Sequence, residues 1–302
     1  MRTPTAGLGG LSFVVIAALS VVAAACAPEE DSRTEASAPP DSSATATASA
    51  GADCVKDSLQ TRTNGKLTIA TDQPAYEPWF VDDKPENGKG FESAVAYAVA
   101  KELGFATNEV TWSRVRFNNA IQPGPKDFDF DINEFTITDE RKRAVDFSSS
   151  YYDATQAVIA LKSSKLAGAK SIADLKGGVL GAQVNTTSYD VITDVVKPSK
   201  QPQVFPSNDN AKRALQNGSI DALVVDLPTA FYMTGAEIEN SVIIGQVEQV
   251  AGESEQFGLV LDKGSPLTSC VTKAVDSLRE KGTLDELSTQ WLADVAGAPV
   301  LK

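Results

Sequence analysis

Residues Asp127–Tyr152 read DFDFDINEFTITDERKRAVDFSSSYY. Phe128, Phe130 and Ile132 alternate with Asp129, Asp131 and Asn133, the period-two pattern of a strand with one face toward a core. The pattern breaks at Phe135-Thr136-Ile137-Thr138, after which Asp139-Glu140-Arg141 opens a helix. A strand end, a hydroxyl-bearing turn, a helix start and an arginine therefore converge. Unpaired backbone N–H groups at a helix start, the Thr136 hydroxyl and the two-pronged Arg141 guanidinium are the groups that capture a carboxylate. The same residues also admit a plainer arrangement, with Thr138 merely capping the helix and Arg141 on its solvated face.

Outward from this stretch, strand and helix patterns alternate. Leu67–Thr71 reads as a strand, and Phe91, Ala94, Val95, Ala98, Val99 and Leu103 recur at helical spacing up to Gly104. Val110–Trp112 and a helical piece around Phe117–Ile121 lead into the quoted stretch. Beyond Tyr152 the spacing predicts strands at Ala157–Leu161, Val179–Ala182, Val204–Phe205, Ala222–Val225 and Phe257–Leu261. Helices are predicted at Ile172–Leu175, Ser188–Val196 and Ala211–Gln216, from Pro228, and after Ser265-Pro266 and Thr283. The repeated β-α order implies an α/β fold whose sheets are mainly parallel and flanked by helices. Ligands of such sheets bind beyond the C-terminal ends of the strands, where Asp72, Tyr76 and Asn133 to Thr136 fall.

The chain has 302 residues, enough for two domains, and its 42% hydrophobic and 22% charged residues are an ordinary globular balance. A net charge of −13 without a basic cluster argues against nucleic acid as a partner. The sequence contains 0 histidines, which excludes Ser-His-Asp and Cys-His catalysis and the usual histidine-bearing zinc sites. No metal or cofactor is expected.

Met1–Ala25 carries Arg2, an apolar run from Leu11 to Val22 and then Ala23-Ala24-Ala25 before Cys26, the layout of an export signal. Small residues before a cysteine resemble a bacterial lipobox, in which Cys26 becomes the lipidated first residue of the mature chain. Ala23 departs from that motif, which usually has leucine there, and the alternative is an ordinary secretory signal. Ala27–Ala52 holds no large apolar residue and cannot offset its own ordering entropy, so it reads as a disordered tether. Cys54 and Cys270 then remain as an even pair in an exported domain, and a disulfide between them is expected.

TITDERKRAVDFSSSYY, read with TDQPAYEPW (Thr71–Trp79), GKGFESAVAYAVAKELG (Gly88–Gly104) and SIADLKGGVLGAQVNTTS (Ser171–Ser188), resembles the family 3 extracellular solute-binding proteins, the amino-acid receptors of ABC importers. FPSNDNAKRALQNGSIDALVVDLPTA (Phe205–Ala230) and FGLVLDKGSP (from Phe257) continue the resemblance in order from about Lys66 to the C-terminus. It implies a two-lobed, periplasmic-binding-protein-like type II fold. Residues 1–25 would be the leader and 26–62 the lipidated cysteine and tether. Residues 63–154 and 255–302 would form the first lobe and 155–254 the second, with hinge crossings near Asp153–Gln156 and Glu248–Gln256. A monomeric receptor held outside the cell membrane by Cys26 would deliver a polar L-amino acid to an ABC permease.

By the same resemblance Arg141 makes a bidentate contact to the ligand carboxylate, helped by Thr136 and by Thr186 of the second lobe. Asp226 pairs with the ligand ammonium, or caps the helix at Leu227-Pro228, or does both. Tyr76 and Phe117 stack on the ligand side chain, Asp72 meets its end, and Gln183 varies with the ligand. Trp79 is either a cleft wall or packing. Asn133 and Glu134 replace small residues of the family, Asn185 replaces a common glycine, and Asp131 replaces an apolar strand residue. If Glu134 faces the cleft, a cationic side chain such as arginine or lysine is favoured; if not, glutamine fits as well. Some proteins of this fold are dehydratases, for which Asp72 or Glu134 would be acid or base, and a sensory domain acting through a partner is the other alternative. No enzymatic activity is expected.

Overall fold

The computed structural model describes residues 54–247, 255–292 and 297–302. The leader, Cys26, most of the tether and the second crossing at 248–254 lie outside the described residues.

Two five-stranded sheets organise the rest. In the first lobe, β1 (Leu67–Thr71) leads to α1 (Phe91–Glu102), β2 (Val110–Arg114), α2 (Phe117–Ala120), β3 (Phe130–Asp131), α3 (Asp139–Lys142) and β4 (Asp146–Ala154). The second lobe continues with β5 (Gln156–Leu161), α4 (Ile172–Leu175), β6 (Leu180–Gln183), α5 (Thr187–Asp190) and β7 (Gln203–Phe205). It is completed by α6 (Asn208–Gln216), β8 (Ala222–Asp226), α7 (Leu227–Tyr232) and β9 (Ser241–Val247). The chain then re-enters the first lobe through β10 (Glu255–Leu261), α8 (Thr268–Glu280) and α9 (Thr283–Leu292).

The strand orders are β2-β1-β3-β10-β4 and β7-β6-β8-β5-β9. In each sheet three strands are parallel, with β1 flanked by β2 and β3 and β6 flanked by β7 and β8. One strand in each sheet is reversed: β10 pairs antiparallel with both β3 and β4, so β4 runs the same way as the first three, and β5 pairs antiparallel with both β8 and β9, so β9 does the same in the second sheet. Between β4 and β5 the first crossing is the single residue Thr155.

Burial on both faces explains why the sequence pattern misleads in places. Phe128, Phe130 and Ile132 are buried, but so are Asp129, Asp131 and Asn133, so the alternation does not mark a solvated face. Helices cover both sides of a sheet of this kind. Asp129 is reconciled with burial by accepting from the backbone N–H groups of Arg62 (2.7 Å) and Thr68 (2.7 Å). Asp131 sits opposite Ala70 and Val260 in mid-sheet, and neither carboxyl oxygen has a hydrogen-bond partner. In β5, Val158 and Ala160 enter one hydrophobic cluster and Ala157 and Ile159 the cluster on the opposite face.

The first-lobe core joins Leu67, Ile69, Phe130 and Ile132 to α1 and to Val271, Val275 and Leu278 of α8. Trp79 is fully buried in it, edge-on to Phe91, Tyr152 and Phe257 at 6.0, 5.6 and 5.8 Å. Helix α1 starts against the Trp79 backbone: Phe91 N–H donates to Pro78 and Glu92 N–H to Trp79. Gly90 permits this approach, since a Cβ there would stand 2.4 Å from the Trp79 carbonyl oxygen, at a φ of +95°. Cys54 and Cys270 are joined, stapling the start of the described region to α8. The end of the chain does not stay with the first lobe. Gln246 N–H donates to Pro299, Leu301 N–H donates to Gln246, and Leu301 is buried in the second-lobe core.

Candidate functional site

The strand ends face one cleft. Asp72 follows β1, Asn133 follows β3, Gln183 ends β6 and Asp226 ends β8, so four C-terminal strand ends supply side chains from both sheets. With Tyr76, Phe117, Glu134, Thr136, Arg141 and Thr186 they line one cavity. All ten residues singled out from the sequence are therefore brought together. Thr187, Ser188 and Asn208 also line it and were not anticipated. The first two follow Thr186 at the start of α5, and the helix-start reasoning applied to Thr136 would have found them.

Arg141 is buried in spite of its place in a short helix that begins with two exposed acids. Thr138 caps that helix by accepting from Arg141 N–H (3.1 Å), so the capping reading and the cleft reading both hold. The guanidinium donates Nη1–H to the Thr136 carbonyl (2.8 Å) and Nη2–H to the Asn185 carbonyl of the second lobe (2.9 Å). It lies 5.4 Å from the centroid of the Phe117 ring, which stacks in turn on Phe135 at 4.7 Å. Burial pulls its pKa down, and the charges of Glu255, Asp190, Asp226 and Glu140 push it back up. It remains a cation.

The opposite end of the cavity is acidic. Glu134 accepts from the Thr229 hydroxyl (3.1 Å), and its carboxyl is hydrogen-bonded to that of Asp226 across the cleft. Burial first, then the neighbouring Asp226 and Glu92, raise Glu134 well above the ordinary carboxylate range. Asp226 is pushed up to about 7 by burial and by the charge of Glu255. Gln156, at the start of β5, donates to Asp226 (2.7 Å) and accepts from Ser188 (2.7 Å). Thr136, Thr187 and Gln156 all donate to the Glu255 carboxylate, at 3.0, 2.7 and 3.1 Å. Glu255 opens β10, so a carboxylate at the second crossing collects donors from both lobes.

Asp72 lines the cavity with its carboxylate already engaged. It accepts from Gln73 N–H (2.6 Å) and from Phe117 N–H at the start of α2 (3.2 Å), and burial raises its pKa. Tyr76 accepts from Asp209 N–H (3.4 Å), and burial together with the Asp209 charge pushes its hydroxyl up to about 12. The Thr186 hydroxyl donates to the Gln183 carbonyl (2.8 Å). Trp79 is packing and not a cleft wall: its fully buried ring stands outside the cavity lining and donates Nε1–H to Thr229 of the second lobe (2.8 Å).

Glu134 and Asn185, two of the sequence departures, share a backbone conformation. Their φ angles are 50° and 62°, in the left-handed region where glycine is most comfortable and asparagine is tolerated. Four buried polar residues behind the cavity were not anticipated: Glu92, Gln156, Thr229 and Glu255. Glu92 in particular reads from sequence as an acid complementing a helix start. Among the described residues no group of three or more His, Cys, Asp or Glu side chains is arranged to hold a metal, and no helix is long and apolar enough to cross a membrane.

Comparison with known proteins gives consistent relatives. The family profile for bacterial extracellular solute-binding proteins, family 3, matches residues 67–294. The arginine-binding extracellular protein ArtP of Bacillus subtilis (strain 168) is 26% identical over 234 residues, covering 75% of this chain and 86% of that protein. The glutamine-binding ABC transporter protein GlnH of the same organism is 28% identical over 218 residues, covering 70% and 76%. Among solved structures, an ancestral arginine-binding protein bound to glutamine is 32% identical with a TM-score of 0.62, covering 76% of this chain and 98% of that one.

Proposed function

The chain belongs to the bacterial extracellular solute-binding proteins of family 3, and from that premise we propose that its cavity binds a polar L-amino acid with a cationic side chain for delivery to an ABC permease. The observation that supports this reading is the division of charge in the cavity: a buried guanidinium at one end and two hydrogen-bonded acids, Glu134 and Asp226, at the other. An amino acid carries the complementary charges, and burying any of them unpaired costs several kcal/mol.

In this reading the ligand carboxylate takes the Arg141 fork, joined by donors at Thr136 and at the α5 start around Thr186. The ammonium lies against Asp226, which Gln156 orients. Tyr76 and Phe117 flank the side chain, and Gln183 and Asn133 offer hydrogen bonds along it. Glu134 answers a positive side-chain terminus. Asp72 contributes mainly by holding the start of α2, and hence Phe117, in place. The chain acts as a receptor and not as an enzyme, in keeping with relatives named for what they bind.

The reading extends to residues outside those described. Met1–Ala25 directs export, Cys26 carries the lipid, and the segment to residue 53 tethers a monomeric receptor beside the permease; residues 54–62, expected as tether, instead belong to the folded lobe, with Leu59 against its core and Arg62 N–H donating to Asp129. Cys54 and Cys270 suit such an oxidising location.

Calorimetric titration of the ligand-stripped protein with arginine, lysine, histidine, glutamine and glutamate tests the proposal. Arginine or lysine should bind most tightly. Glutamine or glutamate binding best, or none of the five binding, would sink it.

A further inference from the structure

The acid at the side-chain end of the cavity does not place itself. Glu134 stands in the left-handed backbone region, a conformation that a non-glycine residue keeps when its surroundings hold it there. The chain on either side is fixed to strands: Ile132 N–H donates to Ala70, Ile137 N–H donates to Gln256, and Gly258 N–H donates to the Phe135 carbonyl. The Glu134 peptide itself is fixed by a side chain. Its N–H donates to Glu92 Oε1 at 2.6 Å.

Glu92 is fully buried in the first turn of α1, outside the cavity lining. The same oxygen accepts from the Tyr151 hydroxyl of β4, and Oε2 has no hydrogen-bond partner. A carboxyl with one double acceptor and one idle oxygen is the arrangement of a neutral acid, since an ionised one would leave buried charge on the idle oxygen. Burial pushes Glu92 up to about 8, in the same direction. In front of Glu134 stand Thr229 and Asp226 of the second lobe. Glu134 is thus gripped by its backbone from behind and by its carboxyl from across the cleft.

We propose that Glu92, a sealed carboxyl that touches no ligand, is a positioning residue that sets side-chain selectivity by fixing the Glu134 peptide, and with it the aim of the Glu134 carboxyl. The inference rests on the reading that Glu134 answers the ligand side chain. Glu92→Gln keeps a carbonyl acceptor for both donors, whereas Glu92→Leu removes it and leaves two buried donors unpaired.

The test measures arginine and glutamine affinities for the full chain as wild type, Glu134→Gln, Glu92→Gln and Glu92→Leu. The arginine-to-glutamine ratio should stay within about threefold of wild type in Glu92→Gln and fall by about tenfold or more in Glu92→Leu, approaching Glu134→Gln. A lower melting temperature alone would not change that ratio, so it separates positioning from bulk destabilisation. An unchanged ratio in Glu92→Leu overturns the inference, as does an unchanged ratio in Glu134→Gln. Failure of the wild type to bind any amino acid would instead overturn the functional reading beneath it. Should Glu92→Leu not fold, ¹³C-glutamate labelling of the wild type decides. The Glu92 carboxyl resonance, identified by its absence from Glu92→Gln, should move when arginine is added, and a stationary resonance overturns the inference.

Discussion

Replacing Arg141 by alanine tests the centre of the site. The guanidinium is 8% exposed, bonded to two carbonyls and placed over the Phe117 ring, so no neighbouring cation can shift into its position without rebuilding α3. Removing it leaves a buried ligand carboxylate without its charge partner, a loss of about 3–5 kcal/mol. At about 1.4 kcal/mol per decade, binding should weaken by about two to three and a half orders of magnitude. Arg141→Lys keeps the charge but loses the planar fork, and should fall between wild type and alanine.

The same substitution has a second consequence that depends on no ligand. The Thr136 and Asn185 carbonyls lose their charged donor, each such loss being worth about 1–3 kcal/mol when the group stays buried. Isothermal calorimetry on the ligand-stripped variants, with urea unfolding alongside, reads both effects. An alanine variant whose affinity stays within about threefold of wild type would refute the reasoning. It would return Arg141 to a role in joining the two lobes through backbone carbonyls.

Glu134→Gln should narrow any preference for arginine over glutamine, read as the ratio of the two dissociation constants; a preference that survives unchanged would show that Glu134 does not face the ligand. Serine at Cys54 and Cys270 opens a link with a sequence separation of 216 and should lower stability by about 5 kcal/mol in the chain-entropy account. Urea midpoints of oxidised wild type and the double variant compare directly, and superimposable curves would contradict the estimate. Asp226, at about 7, and Glu92, at about 8, are raised in the folded protein, so the fold holds protons that the unfolded chain releases above its ordinary carboxyl range. The stability of the ligand-stripped protein should therefore be greatest at mildly acidic pH and fall as pH rises toward about 8, and a melting temperature that climbs from pH 5 to 8 would reverse the assignment.

Strand ends and helix starts were legible because they carry local chemistry. Thr138 ahead of Asp139 holds the expected hydrogen bond, Ser171 and Ser207 cap their helices in the same way, and the ten cavity residues all lie where such ends point. The pairing of Cys54 with Cys270 followed from counting. What was not legible depends on long-range contacts. The alternation at Asp129 and Asp131 suggested a solvated face, but a second packing layer buries both. β9 was passed over because an edge strand with three half-buried positions shows little period-two contrast. Its partner at the chain end is residues 299–301, whose attachment to the second lobe has no local signal. Glu92 and Glu255 look like ordinary surface acids in sequence, and become part of the site through donors that arrive from distant segments.

The distribution of partners between the lobes bears on why binding and closure should be one event. The first lobe supplies Arg141, Glu134 and the aromatic pair; the second supplies Asp226, Gln183 and the α5 start. In the proposed arrangement the first lobe answers the ligand carboxylate and the second its ammonium, so an open cleft would leave one of them to water. Contacts that bridge the cleft are already present without counting a ligand: Arg141 to Asn185, Trp79 to Thr229, Thr229 to Glu134 and Tyr76 to Asp209. These favour the closed arrangement but spend the same groups that a ligand needs, since Arg141 and Glu134 both take part. A ligand shifts the open-closed balance by the difference in its affinity for the two states. Here that difference is the charge pairing that only both lobes together complete. The hinge therefore turns on the groups nearest the two crossings, Gln156 beside Thr155 and Glu255 at the start of β10, which hydrogen-bond each other and hold Asp226 and Thr136 on opposite sides of the cleft.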